Sequence, residues 1–200
     1  MGKIEDKKKQ KKEALFHTSF DLFTTKGFSK TSIADIVEKA GVAKGTFYLY
    51  FKDKYDIRNR LITNKAGKVF ENAYYALERT ELTDFTERLL FIINDIIDQL
   101  TKDSKLLSFI AKNLSWGVFK SALVQQEEET NLDFYALYLK MIEDSPHEFR
   151  NPEVMLFMIV ELVSGSCYNA ILYKEPMAIE EYKPYLYEAI RSMIQTQMIK

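Results

Sequence analysis

Two hundred residues, 46% hydrophobic and 28% charged with only 7 Gly and 4 Pro, suit one large or two small globular domains built from long helices rather than short strands. The formal net charge of −1 hides a split, because residues 1–60 carry 14 Lys/Arg against 8 Asp/Glu, net +6, and the other 140 carry net −7. That split directs any polyanionic partner to the front of the chain, and the single cysteine, Cys167, excludes an intramolecular disulfide framework and suits a reducing cytoplasm.

The first residues have no apolar core of the kind a signal peptide needs. Asp6 stands where a myristoylation signal requires Ser or Thr. The run Lys7-Lys8-Lys9-Gln10-Lys11-Lys12 admits three readings: a solvated tail, a basic arm that reaches DNA, or the first turns of the helix that follows. That helix places Leu15, Phe16, Ser19, Phe20, Leu22 and Phe23 on one face, and Gly27 ends it in the manner of a C-terminal glycine. Thr31-Ser32 then offers an N-cap, with Asp35 as the reciprocal acid of a capping box. Ile33, Ile36, Val37 and Ala40 form the inward face of a short second helix closed by Gly41. Lys44 to Phe51 make a third, with Phe47 and Phe51 inward.

Two short helices joined by a tight glycine-bearing turn form a helix-turn-helix. Its second helix keeps Phe47 and Phe51 on a docking face, four residues apart, and leaves Lys44, Thr46, Tyr48 and Tyr50 largely elsewhere. Gly45 allows close backbone approach. Thr31, Ser32 and Lys54 sit near helix N-termini, where backbone N–H groups favour a phosphate.

Beyond Lys54 the segments lengthen, with helices expected at about 54–79, 83–101, 104–123, 127–143, 152–173 and 178–198. Asn151-Pro152-Glu153 is a helix start with a capping Asn and an early Pro. Pro184 implies that the final helix begins late or is bent. The stretch from Val154 to Tyr173 is the most apolar, but Glu161, Ser164, Ser166 and Asn169 interrupt it, which suits a buried helix better than a membrane span.

The stretch from Thr31 to Phe51, with Leu22-Phe23 and Gly27-Phe28 before it and Lys52-Asp53-Lys54 after it, resembles the signature of TetR-family regulators over about thirty residues. The resemblance implies an all-α protein: an N-terminal three-helix helix-turn-helix domain, residues 1–53, and a larger helical ligand-binding and dimerisation domain, residues 54–200. Lys44, Gly45, Thr46, Tyr48, Tyr50 and Lys54 match positions that contact DNA in the family. Ala43 departs from the pattern, since a Ser or other capping residue usually stands there, and its loss weakens the cap of the third helix by on the order of 1 kcal/mol.

The resemblance also implies a homodimer joined by the last two helices of each subunit, and a cytoplasmic repressor released from operator DNA by a small-molecule effector. Ser164-Gly165-Ser166 would permit close helix approach, and Leu186, Ile190 and Met193 belong to a stripe on the final helix. Asn113, Trp116, Phe119, Tyr138, Glu161 and Tyr168 are the candidate ligand-binding residues. Glu161 is open between three readings: a cationic ligand's partner, a dimer contact, or an acid at the bundle's edge. Cys167, in an apolar run, reads as a small buried hydrophobe. His17 and His147 have no metal-ligand spacing around them, and no nucleophile–base pair or phosphate loop is visible, so no cofactor, metal or catalytic residue is expected. Two other readings stand beside this one: a regulator whose large domain binds a protein partner, and an enzyme with an incidental helix-turn-helix.

Overall fold

The computed structural model describes residues 3–111 and 133–199, and in these residues it contains nine α-helices and no strand beyond one isolated bridge between Phe149 and Met198. The chain forms two compact units, Met1–Thr63 and Asn64–Lys200.

The first unit is built on α1 (Lys3–Leu22), α2 (Ile33–Lys39), α3 (Lys44–Tyr50) and the beginning of α4 (Lys54–Leu77). The lysine run is therefore helical. The last turn after α1 widens into a π turn, Phe23–Gly27, and Gly27 closes it at φ +89°, a conformation that costs an L side chain but not glycine. Ser32 caps α2: its Oγ accepts the Asp35 N–H at 3.1 Å, and the Asp35 carboxylate accepts the Ser32 N–H at 2.7 Å. The expected capping box is present. Gly41, at φ +66°, makes the turn into α3. Leu15, Ile36, Phe47, Phe51 and Ile57 are fully enclosed, and Phe51 packs edge-to-face on Phe16 at 5.1 Å, a geometry that adds about 0.5–1.5 kcal/mol beyond area burial.

The second unit contains the remainder of α4, then α5 (Phe85–Lys102), α6 (Ser104–Ala111), α7 (Phe134–Glu143), α8 (Pro152–Leu172) and α9 (Ile179–Gln197). Asp84, Asp133 and Asn151 cap α5, α7 and α8 through side-chain oxygens. The expected Asn-Pro start of α8 is present. Pro184 neither delays nor ends α9, which already starts at Ile179. The core joins Leu89, Ile93 and Ile97 of α5 to Tyr138 and Met141 of α7, Met155 and Ile159 of α8, and Leu186, Ile190 and Ile194 of α9.

Helix α9 is also stitched to α5 by polar rungs. Lys183 Nζ donates to Asp98 at 2.6 Å and to Glu180 at 2.9 Å, Tyr187 Oη donates to Asn94 at 2.7 Å, and Arg191 donates to Glu87 at 2.9 Å. Burial alone would depress the Lys183 pKa, but its carboxylate partners outweigh that and raise it. Burial pushes the Tyr187 phenol up to about 12. This ladder was not anticipated from sequence, because its partners lie 85 or more positions apart.

Helix α8 is apolar nearly all round, yet it buries one side only. Met155, Leu156, Ile159, Cys167 and Ala170 point into the unit, while Val154 and Phe157 remain 45% and 39% exposed. By length and mean hydropathy, 1.7 over its most apolar stretch, it is the one helix among the described residues that would suffice to span a membrane. Its packed inner face explains half of that composition. Its open outer face explains the rest only if something covers it.

Candidate nucleic-acid interface and apolar cavity

In the first unit, α3 is a short helix with one face spent on packing. Phe47 is fully buried, whereas Lys44, Gly45, Tyr48 and Leu49 are exposed, Tyr48 by 53% and Leu49 by 79%. A Cβ built at Gly45 would meet no atom within 4 Å, so the space beside it is open to a groove wall. Ala43 supplies no side-chain cap. Leu49, absent from the residues expected to meet DNA, is the most exposed large hydrophobic among the described residues of the unit. Its position two residues from Phe47 places it on the opposite side of the helix.

Not every expected DNA contact remains at the surface. Thr31 is a correction: it is 1% exposed and its hydroxyl donates to the Gly27 carbonyl at 2.8 Å, so it ties the π turn to the start of α2. Lys54 is spent in the same region. Its ammonium donates to the carbonyls of Phe28 and Thr31, both at 2.8 Å, and lies 4.4 Å from the Phe28 ring centroid. It closes the turn between α1 and α2 and is not held out for phosphate. Tyr50 is half-buried, its hydroxyl donating to the Lys8 carbonyl at 3.1 Å. Thr46 is half-buried, and Ser32 is exposed at the α2 cap. Beside it, Lys26 and the Ser32 backbone N–H hold the Asp35 carboxyl well below the usual carboxylate range.

In the second unit, α4, α5, α6, α7 and α8 surround a cavity of about 180 Å³. Its described lining is hydrocarbon and aromatic from every helix, including Phe70 and Tyr74 of α4, Ile93 and Ile97 of α5, Phe134 of α7 and Val163 of α8. The polar exceptions are the Ser164, Cys167 and tyrosine side chains, and no charged residue is among the described lining. Tyr138 lines it, but its hydroxyl donates to the Pro152 carbonyl at 2.8 Å, and burial raises its pKa. Burial likewise pushes the Cys167 thiol up to about 11, so it stays protonated and packs as a small hydrophobe.

Tyr138 and Tyr168, both expected at a ligand site, are thus in the lining. Glu161 is not: it is exposed on the outer face of α8, because Ile159, Val160 and Val163 take the turn that faces the cavity. Asn113, Trp116 and Phe119 lie outside the described residues. Of the expected dimer residues, Gly165 is exposed and Met193 half-buried, but Leu186 and Ile190 are spent in the unit's own core, at 1% and 0% exposure. Two side chains enclosed within one subunit cannot also form its outer contact.

A short helix pair joined by a tight turn, with one packed face and one open face, is a helix-turn-helix. Residues 15–61 match the family model for bacterial regulatory proteins of the tetR family. It is 30% identical over 130 residues to the fatty acid metabolism regulator protein of Bacillus subtilis (strain 168), covering 63% of this chain and 57% of that one. Other curated relatives match over 16% and 23% of their own length, so the chain spans little more than half, or less, of these relatives. A Shewanella sp. PV-4 crystal structure assigned to the tetR family of transcription regulators superposes with TM-score 0.69 at 16% identity, covering 95% of this chain and 99% of that one. FadR from Bacillus subtilis in complex with stearoyl-CoA superposes with TM-score 0.59 at 19% identity, covering 91% and 98%. At these identities the likeness shows the fold.

Proposed function

We propose that the chain is a cytoplasmic transcriptional repressor that binds double-stranded operator DNA as a homodimer and is released by a small apolar molecule seated in the second unit. In this reading residues 1–53 carry the DNA-binding function and residues 54–200 the regulation and dimerisation. Lys44, Gly45, Tyr48 and Leu49 of α3 read the groove, while Ser32 and Thr46 border it.

The observation that carries the ligand reading is the cavity between α4 and α8, which has no charged residue in its described lining. A site of this kind takes hydrocarbon and rejects a bare charge, which would lose its hydration without gaining a partner. It supports a small ligand over a protein partner at this site, because the cavity's apolar surface faces inward between five helices. The B. subtilis relative concerned with fatty acid metabolism and the neighbour holding stearoyl-CoA make fatty acyl chains the first probes to try.

The dimer reading rests on the open face of α8. Val154, Phe157, Glu161 and Gly165 recur at helical spacing along it, and on α9 Tyr185, Ala189 and Ser192 are exposed in the same way. These replace Leu186 and Ile190 as the proposed contact residues, beside Met193. The ladder from α9 to α5 then has a role. Helix α5 walls the cavity on one side and holds α9 on another, so a ligand that shifts α5 shifts the helix that sets the spacing of the two subunits. The size of that effect is bounded by the ligand's differential affinity for the two arrangements.

Titrating long-chain acyl-CoA and uncharged hydrophobic compounds into the protein bound to a fluorescent fragment of its own promoter tests this reading. Release of DNA together with a raised Tm is the expected result. Stable DNA binding that no hydrophobic compound disturbs would remove the ligand half of the proposal.

A further inference from the structure

The N-terminal lysines are helical, and their arrangement is not that of a solvated tail. On a helix that turns about 100° per residue, Lys7, Lys8 and Lys11 fall within an arc of about 100° that also contains the buried Leu15 and Thr18, with buried Ser19 just past its edge. The stripe that packs α1 into its unit therefore continues toward the N-terminus as positive charge. Asp6 and Glu13 lie on the opposite side of the helix. All three lysines are exposed, and among the described residues no carboxylate pairs with their ammonium groups. Three other lysines of the unit are spent internally: Lys26 on Asp35, Lys39 on Asp21, and Lys54 on two carbonyls.

A tie fixes this face beside the recognition helix. Tyr50, the last residue of α3, donates its hydroxyl to the carbonyl of Lys8 at 3.1 Å, across 42 positions of sequence. The ring of Tyr50 lies 6.3 Å from that of Phe51, and Phe51 is itself wedged on Phe16 of α1. The beginning of α1 is thus held to the end of α3 by one hydrogen bond, and the Tyr50–Phe51–Phe16 row packs the same helices farther along.

We propose that Lys7, Lys8 and Lys11 form a phosphate-gripping face for the DNA backbone flanking the groove that α3 enters, and that Tyr50 is the positioning residue that docks this face. The inference rests on the DNA-binding reading above. DNA is favoured over an anionic membrane because the lysines are coupled to α3 by Tyr50 and no apolar residue stands within residues 7–11 to anchor them in a bilayer. The contact is to phosphate, so it adds affinity and salt dependence without base discrimination.

The test is the slope of log Kobs against log salt for the full chain on its promoter fragment and on an unrelated duplex. The triple variant Lys7→Gln, Lys8→Gln, Lys11→Gln should flatten the slope by about 0.9 for each contact removed, equally on both duplexes. A charge-matched control, Lys102→Gln, Lys105→Gln, Lys140→Gln in the second unit, should leave it unchanged. Tyr50→Phe should weaken binding in the wild-type background and cost nothing further in the triple variant. An unchanged slope in the triple variant, while Tyr48→Ala weakens specific binding, overturns this inference and leaves the DNA-binding reading standing. Equal flattening by the control overturns it too. A Tyr50→Phe penalty that persists in full without the lysines overturns the docking role. Loss of binding to anionic vesicles with DNA affinity unchanged would assign the face to a membrane instead.

Discussion

The two units spend their side chains in opposite ways. In the first, a few large aromatics close a small core and polar groups are consumed in turns and caps, leaving a short helix with an open polar face. In the second, long helices supply more apolar surface than their core consumes; the surplus lines a cavity inside and covers one side of α8 outside. The difference follows from what each is proposed to bind. A groove of DNA is met by what projects from a surface, a hydrocarbon ligand by what is missing from an interior.

That contrast is most open to attack at the outer face of α8. A Cβ at Gly165 meets no atom within 4 Å, so Gly165→Glu leaves the subunit's own packing intact while placing a charge at the proposed contact. Sedimentation should show a dimer become a monomer; a dimer that survives the change would place the contact elsewhere. Next in size are Tyr48→Ala and Lys44→Ala. Each should weaken operator binding by about 1–3 kcal/mol, roughly 5- to 150-fold, with the helical circular dichroism spectrum unchanged.

Lys54→Ala sharpens the distinction between contact and scaffold. Removing an ammonium from two carbonyls should destabilise the first unit by about 1.5–3 kcal/mol, seen as a lower Tm and as DNA binding that recovers on cooling. A stable variant with weakened DNA binding would instead return Lys54 to the phosphate contacts. In the second unit, Val163→Trp should fill the cavity at a cost of about 1–3 kcal/mol, abolishing effector release while leaving operator affinity in place. Smallest is Ala43→Ser, which supplies the absent N-cap hydroxyl of α3 and should raise stability by about 1 kcal/mol.

The capping box offers a pH test. The folded pKa of Asp35 lies below that of the free carboxylate, so its ionised form stabilises the fold above the unfolded pKa, and that contribution is lost as pH falls through the folded value. Asp35→Asn should be less stable than the wild type at neutral pH, and the gap should close in acid. A gap constant with pH would deny the carboxylate that role.

The helix-turn-helix was legible in the amino-acid sequence because its signals are local. Gly27 and Gly41 end helices, Ser32 and Asp35 cap one, and Phe47 with Phe51 define a packing face within two turns. The same locality made the long helices legible from their apolar periodicity and from Asn151-Pro152, within about two residues at most described ends; the helix expected from 127 starts only at Phe134, capped by Asp133, and the expected end at 123 lies outside the described residues. Where pairs distant in the chain decide, the reading stopped. That Thr31 and Lys54 are used up inside the first unit, that Tyr50 reaches back to Lys8, and that Lys183, Tyr187 and Arg191 rung α9 to α5 all depend on which surfaces meet. So does the direction of Glu161, outward on a helix so apolar that periodicity could not orient it. Sequence by itself determined the helices and the motif, through short-range sterics and hydrogen bonding; tertiary structure alone decided which polar groups stay free and where the apolar surplus leaves a cavity, because both are set by packing between distant segments.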